Sequence, residues 1–176
     1  MKKKILILSP HTDDAELGAG GTILKYLEQK REIFWIVFST AENSLPKNLP
    51  KDSLKNEFLS VTKNLNLNKS QYLIKNFEVR MLHSKRQEIL EILIKVRNEF
   101  NPDLVIGPSL NDFHQDHIVV ATEMVRAFKS SSSIISYELP WNHITFNTQL
   151  FEKLNYQHIL SKIETKKIST LYKIIN

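Results

Sequence analysis

The alternation of short apolar runs with longer amphipathic segments is the feature of this chain that most restricts its fold. The runs have the length of strands and are nearly continuous, as expected for strands covered by helices on both faces. They fall at residues 5–8, 33–38, 72–74, 103–107 and 131–137. The segments predicted to be helices lie between them, at residues 22–29, 51–64, 84–100 and 115–130. This order predicts an α/β protein with a doubly wound, mostly parallel sheet.

The length of the chain favours one structural unit. Its 176 residues are enough to bury a hydrophobic core, so we predict a single domain over residues 1–176. The lysine-rich tail that begins at Leu160 is predicted to form a loosely packed helix. The sequence leaves a homo-oligomeric state open.

The composition excludes several kinds of site. The chain has no cysteine, so a metal would have to be bound by His, Asp or Glu, and thiolate nucleophiles are excluded. The apolar run near the N-terminus is too short for a signal peptide, and no stretch approaches the length of a membrane span, so we expect a cytoplasmic enzyme. The net charge of +5 comes with scattered lysines and no nucleic-acid-binding motif. We therefore expect no nucleic-acid partner, although a small anionic substrate would suit a basic protein.

A first polar cluster follows the first predicted strand. Pro10 ends the strand, and His11, Asp13 and Asp14 come directly after it, where the active site of an α/β fold is expected. An imidazole and a carboxylate are divalent-metal ligands, and a second carboxylate beside them could take a proton from water. The alternative is that Asp13 or Asp14 only caps the following helix.

A second polar cluster follows the predicted strand at residues 103–107. His114 and His117 are three residues apart at the start of a helix, a spacing that lets both face one side, and Asp116 could orient one of the imidazoles. His11, Asp14 and one of these histidines would make a three-ligand zinc site with an open position for water. The alternative for this cluster is a polar surface loop.

A third pattern is rich in glycine. Gly18, Gly20 and Gly21 resemble a loop that binds a nucleotide or a methyl donor, but such loops normally follow the strand directly, whereas the first polar cluster intervenes here. We favour a packing role, in which the glycines let the helix approach the sheet closely.

Both clusters resemble the signatures of the PIG-L/LmbE-like deacetylases. The first match is the stretch SPHTDDAELGAGGT at residues 9–22, the second is NDFHQDH at residues 111–117, and the resemblance runs from about residue 4 to about residue 141. Members of that family use zinc on a Rossmann-like, three-layer fold to hydrolyse the N-acetyl group of N-acetylglucosamine units in small glycoconjugates. Thr12 replaces the proline usually found in the first motif, a position that holds the turn.

The resemblance implies a role for each matching residue. It makes His11, Asp14 and His117 the Zn²⁺ ligands and Asp13 the general base that activates water. It also implies that His114 stabilises the tetrahedral oxyanion or protonates the leaving amine, with Asp116 orienting it. The expected substrate is a small N-acetylated sugar or glycoconjugate.

Two features leave alternatives open. Family members usually continue for several tens of residues beyond the point where this chain stops, which leaves open a catalytically impaired protein that binds sugar and metal. Arg80 and Arg86 lie between the two motifs and are candidates for substrate binding, with an ordinary surface position as the alternative for each.

Overall fold

A computed structural model describes residues 3–145 and 147–166 of the chain. It contains a five-stranded sheet in which every neighbouring pair of strands is parallel, in the order β3-β2-β1-β4-β5. The strands are β1 (Lys4–Ser9), β2 (Glu32–Val37), β3 (Tyr72–Ile74), β4 (Leu104–Pro108) and β5 (Ser133–Tyr137). The helices are α1 (Asp14–Glu28), α2 (Ser53–Asn64), α3 (Arg86–Phe100), α4 (Gln115–Phe128) and α5 (Tyr156–Lys166). The predicted α/β architecture is confirmed.

Helices cover the sheet on both faces because successive strand residues point to opposite sides. In β1, Ile5 and Ile7 belong to the core under α1 and α2, whereas Leu6 and Leu8 belong to the core under α3 and α4. All four side chains are at most 2% exposed, which explains why the strand reads as a continuous apolar run.

The first helix begins eight residues earlier than the sequence predicted, at Asp14 instead of residue 22. The three glycines therefore lie inside α1, and the loop that a nucleotide or methyl donor would require is not formed. A Cβ atom on Gly18 would come within 2.5 Å of the Tyr137 ring, so the glycine allows α1 to approach β5 closely. Tertiary packing outweighs the low helix propensity of glycine here.

The C-terminal part of the described chain packs on α1 through polar contacts. The Lys162 ammonium donates to the carbonyl of Leu17 at 2.8 Å, and His158 Nε2 lies 2.6 Å from a Glu28 carboxylate oxygen. A helix in this tail was predicted, and α5 covers its first part; residues 167–176 lie outside the described residues. Within the described ranges, no helix is long and apolar enough to cross a membrane.

Candidate active site at the switch point of the sheet

Both polar clusters lie above the central pair of strands. β1 and β4 are neighbours, but the chain leaves β1 towards β2 and leaves β4 towards β5, on opposite sides of the sheet. Two loops that diverge in this way open a crevice at the carboxyl ends of the strands, the usual binding position in a doubly wound fold. The fold thus brings together residues about a hundred positions apart in the sequence.

Three side-chain atoms form a nearly equilateral triangle in this crevice. His11 Nδ1 lies 3.2 Å from Asp14 Oδ2, His117 Nε2 lies 3.2 Å from the same oxygen, and the two ring nitrogens are 3.3 Å apart. Ligand atoms at 2.0–2.1 Å from a tetrahedral ion are separated by about 3.3–3.4 Å. The three atoms therefore have the spacing of one face of a tetrahedral zinc site.

Each histidine of the triangle is held by a second carboxylate on its other ring nitrogen. His11 Nε2 lies 3.0 Å from Asp116 Oδ2, and His117 Nδ1 lies 2.7 Å from Asp112 Oδ2. Contacts of this kind fix the tautomer and the ring orientation of metal-binding histidines. Both carboxylates are buried, at 0% exposure for Asp116 and 3% for Asp112.

The contact of Asp116 differs from the one expected from the sequence. Its carboxylate was expected to orient His114, its near neighbour in the chain, but it contacts His11 instead. The same carboxylate accepts the backbone N–H of Arg80 at 2.6 Å and that of Leu82 at 3.2 Å. Arg80 adopts a left-handed conformation with φ of 68°, an unusual value for a residue with a side chain, and presents its N–H to Asp116.

Asp112 was not singled out from the sequence, although it lies inside the second motif. It accepts the backbone N–H of His114 at 2.8 Å and the side-chain amide of Asn142 at 3.3 Å, in addition to its contact with His117. It therefore ties the start of α4 to the turn that follows β5. An aspartate before a helix is usually interpreted as a turn residue. The position of Asp112, five residues before a candidate ligand, was the sequence signal that could have indicated its role in the site.

His114 caps α4 with its own ring. Its Nδ1 accepts the backbone N–H of Asp116 at 3.2 Å, so in the neutral ring the proton is on Nε2. Burial, together with the charges of His11 and His117, lowers the pKa of His114 and favours this neutral form. Its ring centroid is 4.9 Å from that of His11, which places an N–H donor beside the triangle.

The two adjacent aspartates have opposite electrostatic environments. Burial raises the pKa of Asp14, but hydrogen bonds from His11 and His117 outweigh this effect and hold it well below its usual range. For Asp13, burial and the charge of Asp14 raise the pKa to about 6. A carboxylate with a pKa near neutrality is suited to general-base catalysis.

Neither aspartate acts as a side-chain cap of α1. Asp13 occupies the capping position but makes no side-chain capping hydrogen bond, and the Asp14 carboxylate accepts the backbone N–H of His11 at 2.7 Å. The capping alternative is therefore wrong for this cluster. The surface-loop alternative is also wrong for the second cluster, because His117 is 1% exposed and Asp116 is fully buried.

A model of the family described as PIG-L, GlcNAc-PI de-N-acetylase, matches residues 6–128, which is more than half of the chain. The chain belongs to the PIG-L family. The resemblance inferred from the two motifs is thereby confirmed.

Several proteins similar to this PIG-L chain are deacetylases by name. The uncharacterized deacetylase YaiS of Escherichia coli (strain K12) is 23% identical over 171 residues, which cover 94% of this chain and 90% of that protein. The zinc-inhibited form of teicoplanin deacetylase Orf2 has a TM-score of 0.76 at 12% identity, covering 95% of this chain and 84% of the other. The N,N'-diacetylchitobiose deacetylase from Pyrococcus horikoshii has a TM-score of 0.77 at 18% identity, covering 95% and 69%.

The two arginines between the PIG-L motifs have different positions. Arg80 is exposed, its guanidinium donates to Ser44 Oγ at 3.0 Å, and its backbone contacts the site through Asp116. Arg86 instead lies 3.3 Å from Oε1 of Glu123, and Oε2 of the same carboxylate accepts from Arg126 at 2.6 Å. Arg86 therefore joins α3 to α4, and this contact favours a structural role over substrate binding.

The Glu123 carboxylate is fully buried between the two guanidinium groups, so we expect Glu123→Gln to destabilise the protein. The amide of glutamine would present its NH2 donor to one of the two guanidinium groups, and an unsatisfied buried polar group costs about 1–3 kcal/mol. Urea denaturation measures the free energy of unfolding. Glu99→Gln is the control, because the Lys95–Glu99 pair is highly exposed and such pairs contribute little. Equal losses in the two variants would contradict a structural role for the buried carboxylate.

Proposed function

We propose that this PIG-L chain is a zinc-dependent N-deacetylase acting on an N-acetylated sugar of the N-acetylglucosamine type, releasing acetate and a free amine. The observation that carries the proposal is the triangle of His11, Asp14 and His117, with its edges of 3.2–3.3 Å. The names of the deacetylase relatives support the reaction type, and the family description supports an aminosugar as the substrate.

The donor set of the triangle fits Zn²⁺. Two imidazoles and one carboxylate are the ligands of many catalytic zinc sites, which keep a further position open. In this proposal His11 Nδ1, Asp14 Oδ2 and His117 Nε2 bind the ion. A bound divalent cation would polarise the acetamide carbonyl and make water a better nucleophile.

The remaining polar residues of the crevice supply proton transfer and charge stabilisation. Asp13 takes the proton of the attacking water, since its pKa of about 6 leaves it ionised at neutral pH but close to the optimum for a base. His114 donates from Nε2 to the oxygen that becomes negative in the tetrahedral intermediate, because its Nδ1 is occupied by the start of α4. The amine leaves after Asp13 passes to it the proton taken from water, which returns the Asp13 carboxylate to its ionised form.

The proposal is tested by acetate release from a panel of N-acetylated sugars, including N-acetylglucosamine, its 1-O-glycosides and N-acetylgalactosamine. The zinc-loaded protein should release acetate from at least one of them. A protein that binds sugar and metal without turnover is the rival, and binding of the panel with no acetate from any member would favour it.

We expect Asp112→Asn and Asp116→Asn each to weaken zinc affinity. An asparagine in either position would no longer accept the ring N–H of its histidine as a carboxylate does, and loss of such a partner typically costs about 10–100-fold in metal affinity. Competition with a fluorescent zinc chelator measures the affinity.

Asp103→Asn is the matched control for this pair. Asp103 is exposed and its carboxylate accepts the backbone N–H of Lys4, at the opposite edge of the sheet from the crevice. The zinc affinity of the Asp103→Asn protein should equal that of the unmodified protein. Unchanged affinity in both site variants would show that the two carboxylates do not support the ligands.

A further inference from the structure

Two large aromatic side chains are exposed beside the crevice. Phe113 and Trp141 are each 66% exposed. Each is next in sequence to a residue that contacts Asp112, since the backbone N–H of His114 and the side-chain amide of Asn142 both donate to that carboxylate. Both aromatic residues therefore lie one position away from a contact that supports the triangle.

A backbone hydrogen bond fixes the spacing of the two aromatic residues. The N–H of Phe113 donates to the carbonyl of Asn142 at 3.0 Å, which joins the loop after β4 to the turn after β5. Standard backbone dimensions then place the Cα atoms of Phe113 and Trp141 no more than about 11 Å apart. The two residues are therefore neighbours at the edge of the crevice, and we call this pair the aromatic rim.

The exposure of the rim contrasts with the burial of the other tryptophan in the chain. Trp35 is fully buried, and its indole N–H donates to Ser9 Oγ at 2.8 Å. A single exposed apolar residue needs no explanation, but two aromatic residues joined at the edge of a polar crevice are typical of a ligand-binding surface.

Polar residues flank the aromatic residues and restrict the ligand. Along the joined segments the order is Trp141, Asn142, Phe113 and His114, so aromatic residues alternate with residues that carry hydrogen-bonding groups. A pyranose ring has the matching character, with C–H groups on its face and hydroxyl groups at its edge. A lipid chain would offer no acceptor to the Nε2–H of His114, and a protein partner would require a much larger area.

We propose that Phe113 and Trp141 form a stacking surface for the sugar ring that carries the acetamido group. The proposal rests on the proposed function, because it supplies the binding of the sugar whose N-acetyl group is hydrolysed. The two residues determine specificity and take no part in bond making or breaking. Stacking contributes equally to the bound substrate and to the transition state, so its loss should raise KM and leave kcat unchanged.

Tryptophan fluorescence tests the contact directly. The chain has two tryptophans, and the burial of Trp35 makes Trp141 the one that iodide can quench. In zinc-loaded Asp13→Asn protein, in which turnover is slowed, N-acetylglucosamine should protect Trp141 from iodide. The same measurement with Trp141→Phe added should show no effect of the sugar on the remaining Trp35 signal.

Kinetic measurements separate stacking from a general effect on the site. Phe113→Ala and Trp141→Ala should each raise KM for the sugar about three- to tenfold, while zinc content, kcat and hydrolysis of the small acetamide N-acetylethanolamine stay unchanged. Trp141→Phe should restore most of the affinity. Phe151→Ala is the control, since Phe151 is 84% exposed and precedes Glu152, which pairs with Lys25 of α1.

The outcomes distinguish this proposal from the proposed function. Acetate release with an unchanged KM in both alanine variants would overturn the stacking surface and leave the deacetylase intact. Sugar protection of Trp141 without acetate release from any sugar would support the stacking surface and contradict the deacetylase. Absence of protection at sugar concentrations that saturate turnover would also overturn the stacking surface.

Discussion

Asp13→Asn is expected to keep its zinc and to lose about 10²–10⁴-fold in kcat, the contribution typical of a positioned general base. Asparagine preserves the size of the side chain and its capacity to accept a hydrogen bond, but it does not accept a proton from water. Of the two adjacent aspartates, only Asp14 takes part in the triangle, where its Oδ2 contacts both His11 and His117. Acetate release at saturating substrate measures kcat, and a zinc assay of the same sample measures the zinc content.

Asp14→Asn is the matched control for the base. It replaces the same residue type one position away, but it removes the carboxylate of the triangle, so we expect the loss of zinc together with activity. If Asp13→Asn lost its zinc while Asp14→Asn retained it, the roles of the two carboxylates would be reversed.

His11→Ala and His117→Ala are expected to abolish zinc binding at micromolar metal concentrations. Each variant removes one corner of a three-atom site and leaves a buried carboxylate, Asp116 or Asp112, without its imidazole partner. The missing ligand disfavours the ion, because two protein ligands hold zinc far less tightly than three. Elemental analysis after gel filtration gives the zinc content per chain.

Two further histidine variants test whether the loss of zinc is specific to the proposed ligands. His83→Ala removes an exposed imidazole and should keep full occupancy. His114→Ala should also keep zinc while lowering kcat, although ring nitrogens of His11, His114 and His117 all lie within 4.8 Å of one another. Loss of zinc in His114→Ala with retention in Asp14→Asn would indicate a site of three histidines.

Much of the fold was predictable because its signals are local. The apolar runs of β1 and β4 mark buried strands, and polar clusters directly after them predict a site at the carboxyl edge of the sheet. The start of α1 was not predictable in this way. The glycines in its first turns weaken the helical signal, and the contact of Gly18 with Tyr137 that favours a helix there joins residues far apart in sequence.

The supporting contacts of the site were less predictable than its central residues. The resemblance to the family implied that Asp116 orients His114, but its carboxylate reaches His11, 105 positions away. Only the placement of the start of α4 beside the turn that follows β1 decides this pairing. The structure therefore predicts that Asp116→Asn acts on zinc affinity through His11, whereas the sequence predicted an effect on kcat through His114.

The position of Glu123 in α4 is a further sequence signal, because it predicts a buried ion pair. It is a charged residue between Val120 and Met124, on the buried face of α4, and such a residue requires a partner. Its partner on the neighbouring helix is Arg86, which the sequence left as a candidate for substrate binding. The identity of that partner depends on how α3 and α4 cross, which no local pattern specifies.

Titration of the metal-free protein with Zn²⁺, with acetate release from the best sugar of the panel as the readout, tests the central claim most directly. We predict no release after removal of the metal, a linear rise on addition of zinc, and a break at one equivalent per chain. Release that is undiminished after complete removal of metal, or its absence at one bound equivalent with every sugar of the panel, would contradict a zinc-dependent deacetylase at this site.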